Sequence, residues 1–408
     1  MQRVRGDVGC NRRLGGPQRL GDELAAENPR QPVSGCDPDE VVDSAGGQVD
    51  QSVEIDFVHV RLALSVQGLP RLRPAGHHSP MRAWQMTEIG DPSDVLELAT
   101  VPDPEPGPGE VLLNVESCGL KFPDILQIQG KYQVRPTLPF IPGGEIAGTV
   151  VAHGSDLDES APAIGDRVLV MGDGGLAEQV AVAARQCLPI PDGMGFDQAA
   201  AMLVNYGTGV FALRNRARLQ AGESVLVTAA AGGVGSAAVQ LAKAIGATVY
   251  GLAGGAEKVE MVRSLGADGA FDYREVDIVD TIRDVTDGAG VDVVYDAVGG
   301  DIFDQVRRIV AWDGRLLVIG FTSGRIPEAP ANHILLKNYS IVGVHWGAHL
   351  ARRAGALRED WDSVVELFGT GKVDPLISDV RPLSGALDAL DDIGNRRTVG
   401  KVIIRPGE

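Results

Sequence analysis

The sequence predicts an α/β protein in two parts, a small mostly β domain and a doubly wound parallel-sheet domain. A change of rhythm along the chain and one glycine-rich junction predict it. From Met81 to about Tyr206, short runs of alternating apolar residues are divided by Gly, Pro and Asp turns; after about Thr208, strands alternate with segments of helical length. The junction lies between the first strand and the first helix of the second part.

In the first part, Val111, Leu113 and Val115 alternate with Leu112, Asn114 and Glu116 directly after a Pro-rich turn that ends at Gly109. Further strands are expected at residues 146–152, 167–170 and 176–182. In the second part, six strands are expected at 224–228, 248–252, 269–271, 291–295, 315–319 and 340–344. Six strands joined by crossovers form a parallel sheet whose ligands sit at the strand carboxyl ends. An amphipathic helix near 361–367 and a closing strand at 401–404 return the chain to the first domain. The expected organisation is therefore 81–206 with 346–408 as one domain and 207–345 as the other.

Residues 1–80 contain one aromatic, Phe57, against eighteen in the rest of the chain. So few large apolar groups cannot offset the entropy of ordering, and most of this segment is expected to be disordered. An alternating stretch from Val53 to Leu64 reads as an isolated strand, and Met81 reads as the start of the natural product.

Across 408 residues, 37 Lys and Arg stand against 55 Asp and Glu, a net charge of -18. That balance repels phosphate backbones and anionic membrane surfaces, so nucleic acid and membrane are not expected partners and a small molecule is. No apolar run reaches the roughly 18 residues of a lipid-spanning helix. Cys10, Cys36, Cys118 and Cys187 lie far apart without a Cys-x-x-Cys pair, which fits reduced thiols in a cytosolic protein.

The clearest motif is the strand Ser224-Val-Leu-Val-Thr228 running into Ala229-Ala-Ala-Gly-Gly-Val-Gly235, with a helix through about Ile245 that stops at Gly246. Read as A-x-G-x-x-G, Ala230 takes the first position, Gly232 lets backbone approach a pyrophosphate, and Gly235 permits close helix–strand packing. The amides of Gly233, Val234 and Gly235 then open a helix whose N-terminus favours an anion. A ribose-binding carboxylate is expected about 20 residues on in an NAD site. Here that position reads Gly251-Leu-Ala-Gly-Gly255, followed by Glu257 and Lys258. Lys258 is placed to reach a 2′-phosphate, which favours NADPH over NADH; the alternative is a helix-start lysine paired with Glu257 or Glu260.

Cys118-Gly-Leu-Lys-Phe-Pro-Asp124, Gln129-Gly-Lys-Tyr132, Pro142-Gly-Gly-Glu-Ile-Ala-Gly148, Asn205-Tyr-Gly-Thr208, the glycine loop and Phe271-Asp-Tyr-Arg274 together resemble the zinc-free quinone oxidoreductase (zeta-crystallin-like) branch of the medium-chain dehydrogenase/reductases. The resemblance spans essentially Met81 to Pro406. It implies a GroES-like mostly β catalytic domain with a Rossmann cofactor domain inserted, and hydride transfer from NADPH to quinones or to the activated double bonds of enones and enals. It places Lys258, Tyr273 and Arg396 at the 2′-phosphate and adenine, with Arg397 as the fallback for Arg396. Thr208 and the loop Gly320, Phe321, Thr322 fall beside the nicotinamide. A homodimer joined along the sixth strand, residues 338–344, is also implied.

Zinc-dependent members of the superfamily hold the metal through a Cys and a His at the positions of Lys121 and Gly144. An ammonium has no lone pair and glycine has no side chain, so no zinc is expected. A quinone or enone needs none, because conjugation already makes the carbon electrophilic. Lys121 stands where the family often has Asn, and either stabilises an enolate as a cation or points to solvent. Tyr132 either hydrogen-bonds the substrate oxygen or packs with its hydroxyl in water. Tyr206 is expected to pack between domains, Trp346 to line a pocket or subunit contact, and Cys118 to be a buried thiol. Two other functions stay open: an enoyl-thioester reductase, and a non-catalytic NADPH-binding sensor or structural protein.

Overall fold

The computed structural model describes residues 80–408; the expectations for the segment before residue 80 lie outside the described residues. Strands β1 (Met81–Gln85) and β2 (Glu97–Val101) form an antiparallel pair. They are followed by β3 (Glu110–Leu120), β4 (Glu145–His153), β5 (Arg167–Met171), β6 (Gln179–Ala183) and β7 (Leu188–Pro189). Next come β8 (Ser224–Val227), β9 (Thr248–Ala253), β10 (Gly269–Asp272), β11 (Val291–Asp296), β12 (Val310–Val318) and β13 (Ser340–Gly343). The chain closes with β14 (Ile377–Pro382) and β15 (Lys401–Arg405).

The six strands β8 to β13 form one parallel sheet in the order β10-β9-β8-β11-β12-β13. The order reverses between β8 and β11, and doubly wound sheets bind their ligands at such a switch point. A seven-stranded sheet has the order β14-β15-β3-β4-β5-β7, with β6 also on β3. Antiparallel pairing of β15 with β3, Val402 opposite Leu120, thus joins the chain's end to its earlier part. The GroES-like plus Rossmann architecture implied by the resemblance is the architecture found.

The two sheets share one core. Ala147, Leu169 and Ile403 from the seven-stranded sheet and Val225, Val227 and Val249 from the parallel sheet belong to the same buried cluster. Between them runs the helix Phe196–Val210, in which Ala199, Ala200, Ala201, Met202 and Leu203 are all buried. The absent side chain of Gly119 lets β3 approach this helix closely: a Cβ there would fall 2.1 Å from the Ala200 carbonyl.

Candidate active site

At the carboxyl end of β8 the chain turns through Ala229, which takes a left-handed φ of 48°, and Gly232 (φ -84°, ψ 175°) caps the helix Gly233–Ile245. The tight turn therefore falls on Ala229, one residue before the Ala230 marked by the motif; Ala230 is buried, its amide bonded to the Leu252 carbonyl at 2.9 Å. Gly235 has no room for a side chain, because a Cβ would lie 2.2 Å from the Ala229 carbonyl oxygen. Gly233, Val234 and Gly235 occupy the helix's first turn, where amides lack intrahelical acceptors and the dipole is positive. The turn is braced from below: Thr228 donates its hydroxyl to Asp296 Oδ1 at 2.8 Å, and that carboxylate accepts from the amides of Val298 and Gly299. Burial pushes the Asp296 carboxyl up.

Beyond β9, Gly255 (φ 93°) caps the helix Ala256–Ser264, and Lys258 projects from its first turn. The Lys258 ammonium donates to the carbonyls of Arg396 and Thr398, at 2.8 and 3.1 Å. Of the two carboxylates in its helix, Glu260 pairs with Arg263, and Glu257 acts on Lys258 as a nearby charge that raises its pKa. Burial and then the nearby Arg274 guanidinium lower the Lys258 pKa. Arg274 lies over the Tyr273 ring at 5.6 Å, and a Cβ on Gly254 would meet both side chains at 3.0 Å. Cations thus gather where an NAD site would carry a carboxylate.

The segment from Asn395 to Gly400 crosses this edge. Arg396, left-handed at φ 59°, donates from Nη2 to the Thr322 carbonyl at 2.8 Å, and the Gly400 amide donates to the Ala231 carbonyl at 2.7 Å. Arg397 is occupied elsewhere, in ion pairs with Asp391 and Asp392. The Arg396 guanidinium thus reaches the loop after β12, while its backbone carbonyl receives the Lys258 ammonium. Gly320, Phe321 and Thr322 follow β12; Thr322 bonds the Ala297 carbonyl through its amide and hydroxyl, which ties this loop to the end of β11. Thr208 lies half-buried in the helix Phe196–Val210, next to Gly207, whose absent side chain leaves room for Trp346.

A second polar cluster lies at the ends of β3, β4 and β15. Lys121 follows β3 and caps the helix Phe122–Ile128; its ammonium meets Asp124 Oδ1 at 2.7 Å, while its amide donates to Oδ2 at 2.8 Å. The Lys121 side chain is only 18% exposed and that of Asp124 1%. Lys121 is thus held by a buried carboxylate and does not point to solvent. Burial pulls its pKa down, but the Asp124 and Glu145 carboxylates outweigh it, and the ammonium titrates above the ordinary lysine value. Next to it, Glu145 and Lys401 form a fully buried ion pair, and Glu145 also accepts from the Val204 amide at 2.9 Å. Cys118 is buried among these charges, and its thiol is pushed up to about 12 by burial and then by Asp124. Tyr132 is half-buried beyond the helix Phe122–Ile128, and among the described residues no hydrogen bond joins it to Lys121.

The remaining candidates have structural roles in view. Tyr206 is buried with its hydroxyl on the Asp374 carbonyl at 3.0 Å; Trp346 donates to Asp360 Oδ2 at 2.7 Å; His349 stacks on Phe211 at 4.4 Å.

Residues 107–192 match the alcohol dehydrogenase GroES-like domain family, and residues 233–369 match the zinc-binding dehydrogenase family. A quinone oxidoreductase-like protein 2 homolog of Nematostella vectensis is 42% identical over 335 residues, which is 81% of this chain and 90% of the relative. The chain belongs to the quinone oxidoreductase-like branch of the medium-chain dehydrogenase/reductases. Among solved structures, a probable oxidoreductase from Mycobacterium abscessus has a TM-score of 0.73 at 37% identity, covering 81% of this chain and all of that one. The Escherichia coli quinone oxidoreductase complexed with NADPH has a TM-score of 0.73 at 27% identity, covering 80% and 99%.

One matched family name carries a metal, and these residues do not fit it. Lys121 is a cation locked on Asp124, Gly144 has no side chain, and Glu145 is committed to Lys401. Among the described residues, no three His, Cys, Asp or Glu side chains are gathered as a metal would require.

Sequence reasoning missed Asp124 as a partner of Lys121, although a carboxylate at the third position of a helix is placed to receive the amide of the residue that caps it. It also missed the Glu145–Lys401 pair, for which no local signal exists across 256 positions.

Proposed function

We propose that the protein is an NADPH-dependent reductase that acts without zinc on quinones or on the activated double bonds of enones and enals. The observation that carries this reading is the Lys258 ammonium, with Arg274 nearby, just beyond the end of β9, where Ala253, Gly254 and Gly255 offer no carboxylate to a ribose, beside a glycine loop whose helix N-terminus suits a pyrophosphate. The complex of the Escherichia coli relative with NADPH supports the choice of cofactor.

The residues fit that group. First-turn amides of Gly233, Val234 and Gly235 would hold the pyrophosphate, and Lys258 and Arg396 would hold the 2′-phosphate, with Tyr273 on the adenine side. Thr208 and the loop of Gly320, Phe321 and Thr322 border the nicotinamide half. When bound, NADPH supplies the hydride. The chain's task is then to orient the acceptor and to stabilise the negative charge that builds on its oxygen. Lys121 supplies a charge fixed in place, and Tyr132 supplies a hydroxyl able to donate a proton.

The reading extends to assembly. Among the described residues, strand β13 pairs only with β12, and the neighbouring helix Ala331–Lys337 has no buried residue, with Leu335 and Leu336 79% and 74% exposed. A second copy of the chain against this edge would cover both.

Consumption of NADPH on addition of a quinone, an enone, an enal or an enoyl-CoA tests the function. Turnover of the first three classes is expected. Turnover of the enoyl-CoA alone would move the activity to thioesters, and tight NADPH binding with silence on every acceptor would replace the reductase by a sensor or structural role.

A further inference from the structure

An unbroken line of contacts leads from the phosphate loop to Lys121. Gly232 bridges to Gly400; the next residue, Lys401, is paired with Glu145; and Glu145 follows Gly144 directly, beside the Lys121 ammonium. This nitrogen occupies the space that a side chain at residue 144 would fill: a Cβ there would lie 2.4 Å from Lys121 Nζ and 3.0 Å from the Gly172 carbonyl. Gly144 has no positive φ, so its backbone does not require glycine, and only the space does. Asp124 grips Lys121 at both ends, backbone amide and ammonium, within a single helical turn.

We propose that Asp124 is a positioning residue which, together with the bare Cα of Gly144, fixes the Lys121 ammonium as the cation that meets the substrate oxygen. The inference rests on the reductase reading of the same cleft. As the acceptor carbon takes the hydride, the conjugated π pair moves onto oxygen, and the ammonium stabilises that charge by a hydrogen bond without forming a covalent bond. A lysine so little exposed would lose its proton readily if it stood alone; the carboxylate beside it keeps it charged. The ammonium gives one of its three N–H donors to Asp124 Oδ1, the second bond to this carboxylate coming from the Lys121 backbone amide, so donors remain for a substrate oxygen.

Charged and titratable groups face this nitrogen from each element packed around it: Cys118 on β3, Asp124 on the helix Phe122–Ile128, Glu145 on β4 and Lys401 on β15. Glu145 and Lys401 are paired with one another. On the turn after β5, Asp173 accepts from Gln127. Asp124 is the stronger of the two carboxylates that hold Lys121 charged, ahead of Glu145, and its removal leaves burial opposed mainly by Glu145.

The test is the pH dependence of kcat/KM for benzoquinone at saturating NADPH in the wild type, Lys121→Met, Asp124→Asn, the double variant and Gly144→Ala, with NADPH affinity measured for each. The wild type is expected to hold its rate from about pH 7 to about pH 9, whereas Asp124→Asn falls by about tenfold across that interval as Lys121 deprotonates. Lys121→Met is slow throughout, and adding Asp124→Asn to it costs nothing further, because Asp124 acts only through Lys121. Gly144→Ala lowers the rate towards that of Lys121→Met with NADPH affinity retained, and carries the test if Asp124→Asn does not fold. An Asp124→Asn enzyme with the wild-type rate and profile overturns the proposal, as does an equal loss on the Lys121→Met background or a Gly144→Ala enzyme of wild-type rate. A wild type silent on every acceptor overturns the reductase reading and this proposal together; an active wild type with an indifferent Asp124→Asn overturns this one alone.

Discussion

Two backbone carbonyls, those of Arg396 and Thr398, hold the Lys258 ammonium in a place where an ionised phosphate would be the stronger partner. Its pKa is lowered, first by burial and then by Arg274. Removal of that side chain by Lys258→Ala should raise the dissociation constant for NADPH by roughly ten- to a hundredfold, the equivalent of about 1.5–3 kcal/mol, and leave that for NADH nearly unchanged. Equal losses for both would remove the 2′-phosphate from this lysine. At Gly235, a methyl group would press 2.2 Å from the Ala229 carbonyl oxygen, so Gly235→Ala should displace the loop and weaken both cofactors alike, as titrations of nicotinamide fluorescence would show. The contrast between a variant that discriminates and one that does not separates charge recognition from loop shape.

At the level of elements, the pair of Glu145 on β4 with Lys401 on β15 ties two distant parts of the chain beneath the helix Phe196–Val210, whose Val204 amide the same carboxylate receives. Both side chains are nearly inaccessible, at 0% and 3%. Lys401→Met would leave a buried carboxylate without its counter-ion, and a loss of about 3–5 kcal/mol in denaturant unfolding is expected. A loss under about 1 kcal/mol would mean that the pair is solvated. Elements of this kind separate what the sequence discloses from what it conceals. Alternation and flanking glycines located β4, β5 and β8 to within a residue or two at each end, and the stop at Gly246, since those signals are local. β12 begins at Val310, five residues before the expected 315, because Ala311-Trp312-Asp313-Gly314 reads as a turn and Asp313 does take a left-handed φ of 60°. β14 went unnoticed: Ile-Ser-Asp-Val-Arg-Pro carries two charges and a proline, as an edge strand tolerates. β6 is shorter than expected, since Leu176 and Ala177 turn aside to meet β1. In the site, the glycine turn from β8 into the helix Gly233–Ile245 was legible from spacing, whereas the grip of Asp124 on Lys121 and the engagement of Arg397 by Asp391 and Asp392 depend on side-chain positions that no local pattern discloses.

Over the whole molecule, a chain of net charge -18 carries a small cationic edge where Lys258 and Arg274 lie near one another. Such a surface discourages polyanions and leaves room for one small anionic cofactor at a defined spot. The β13 edge, with its unburied helix Ala331–Lys337 and with Trp312 68% exposed nearby, gives the second large-scale expectation. Light scattering should find two chains per particle, and Leu335→Glu with Leu336→Glu should yield a monomer; a wild-type monomer would refute the paired edge. The central claim joins the two ends of the site: a pocket that selects NADPH and a buried ammonium in place of a metal. It is tested most directly by turnover of a quinone in chelator-treated protein with each nicotinamide cofactor. The account predicts full activity without metal and a kcat/KM at least about tenfold higher with NADPH than with NADH; activity that vanishes with the chelator and returns with zinc, or that is equal with the two cofactors, would contradict it.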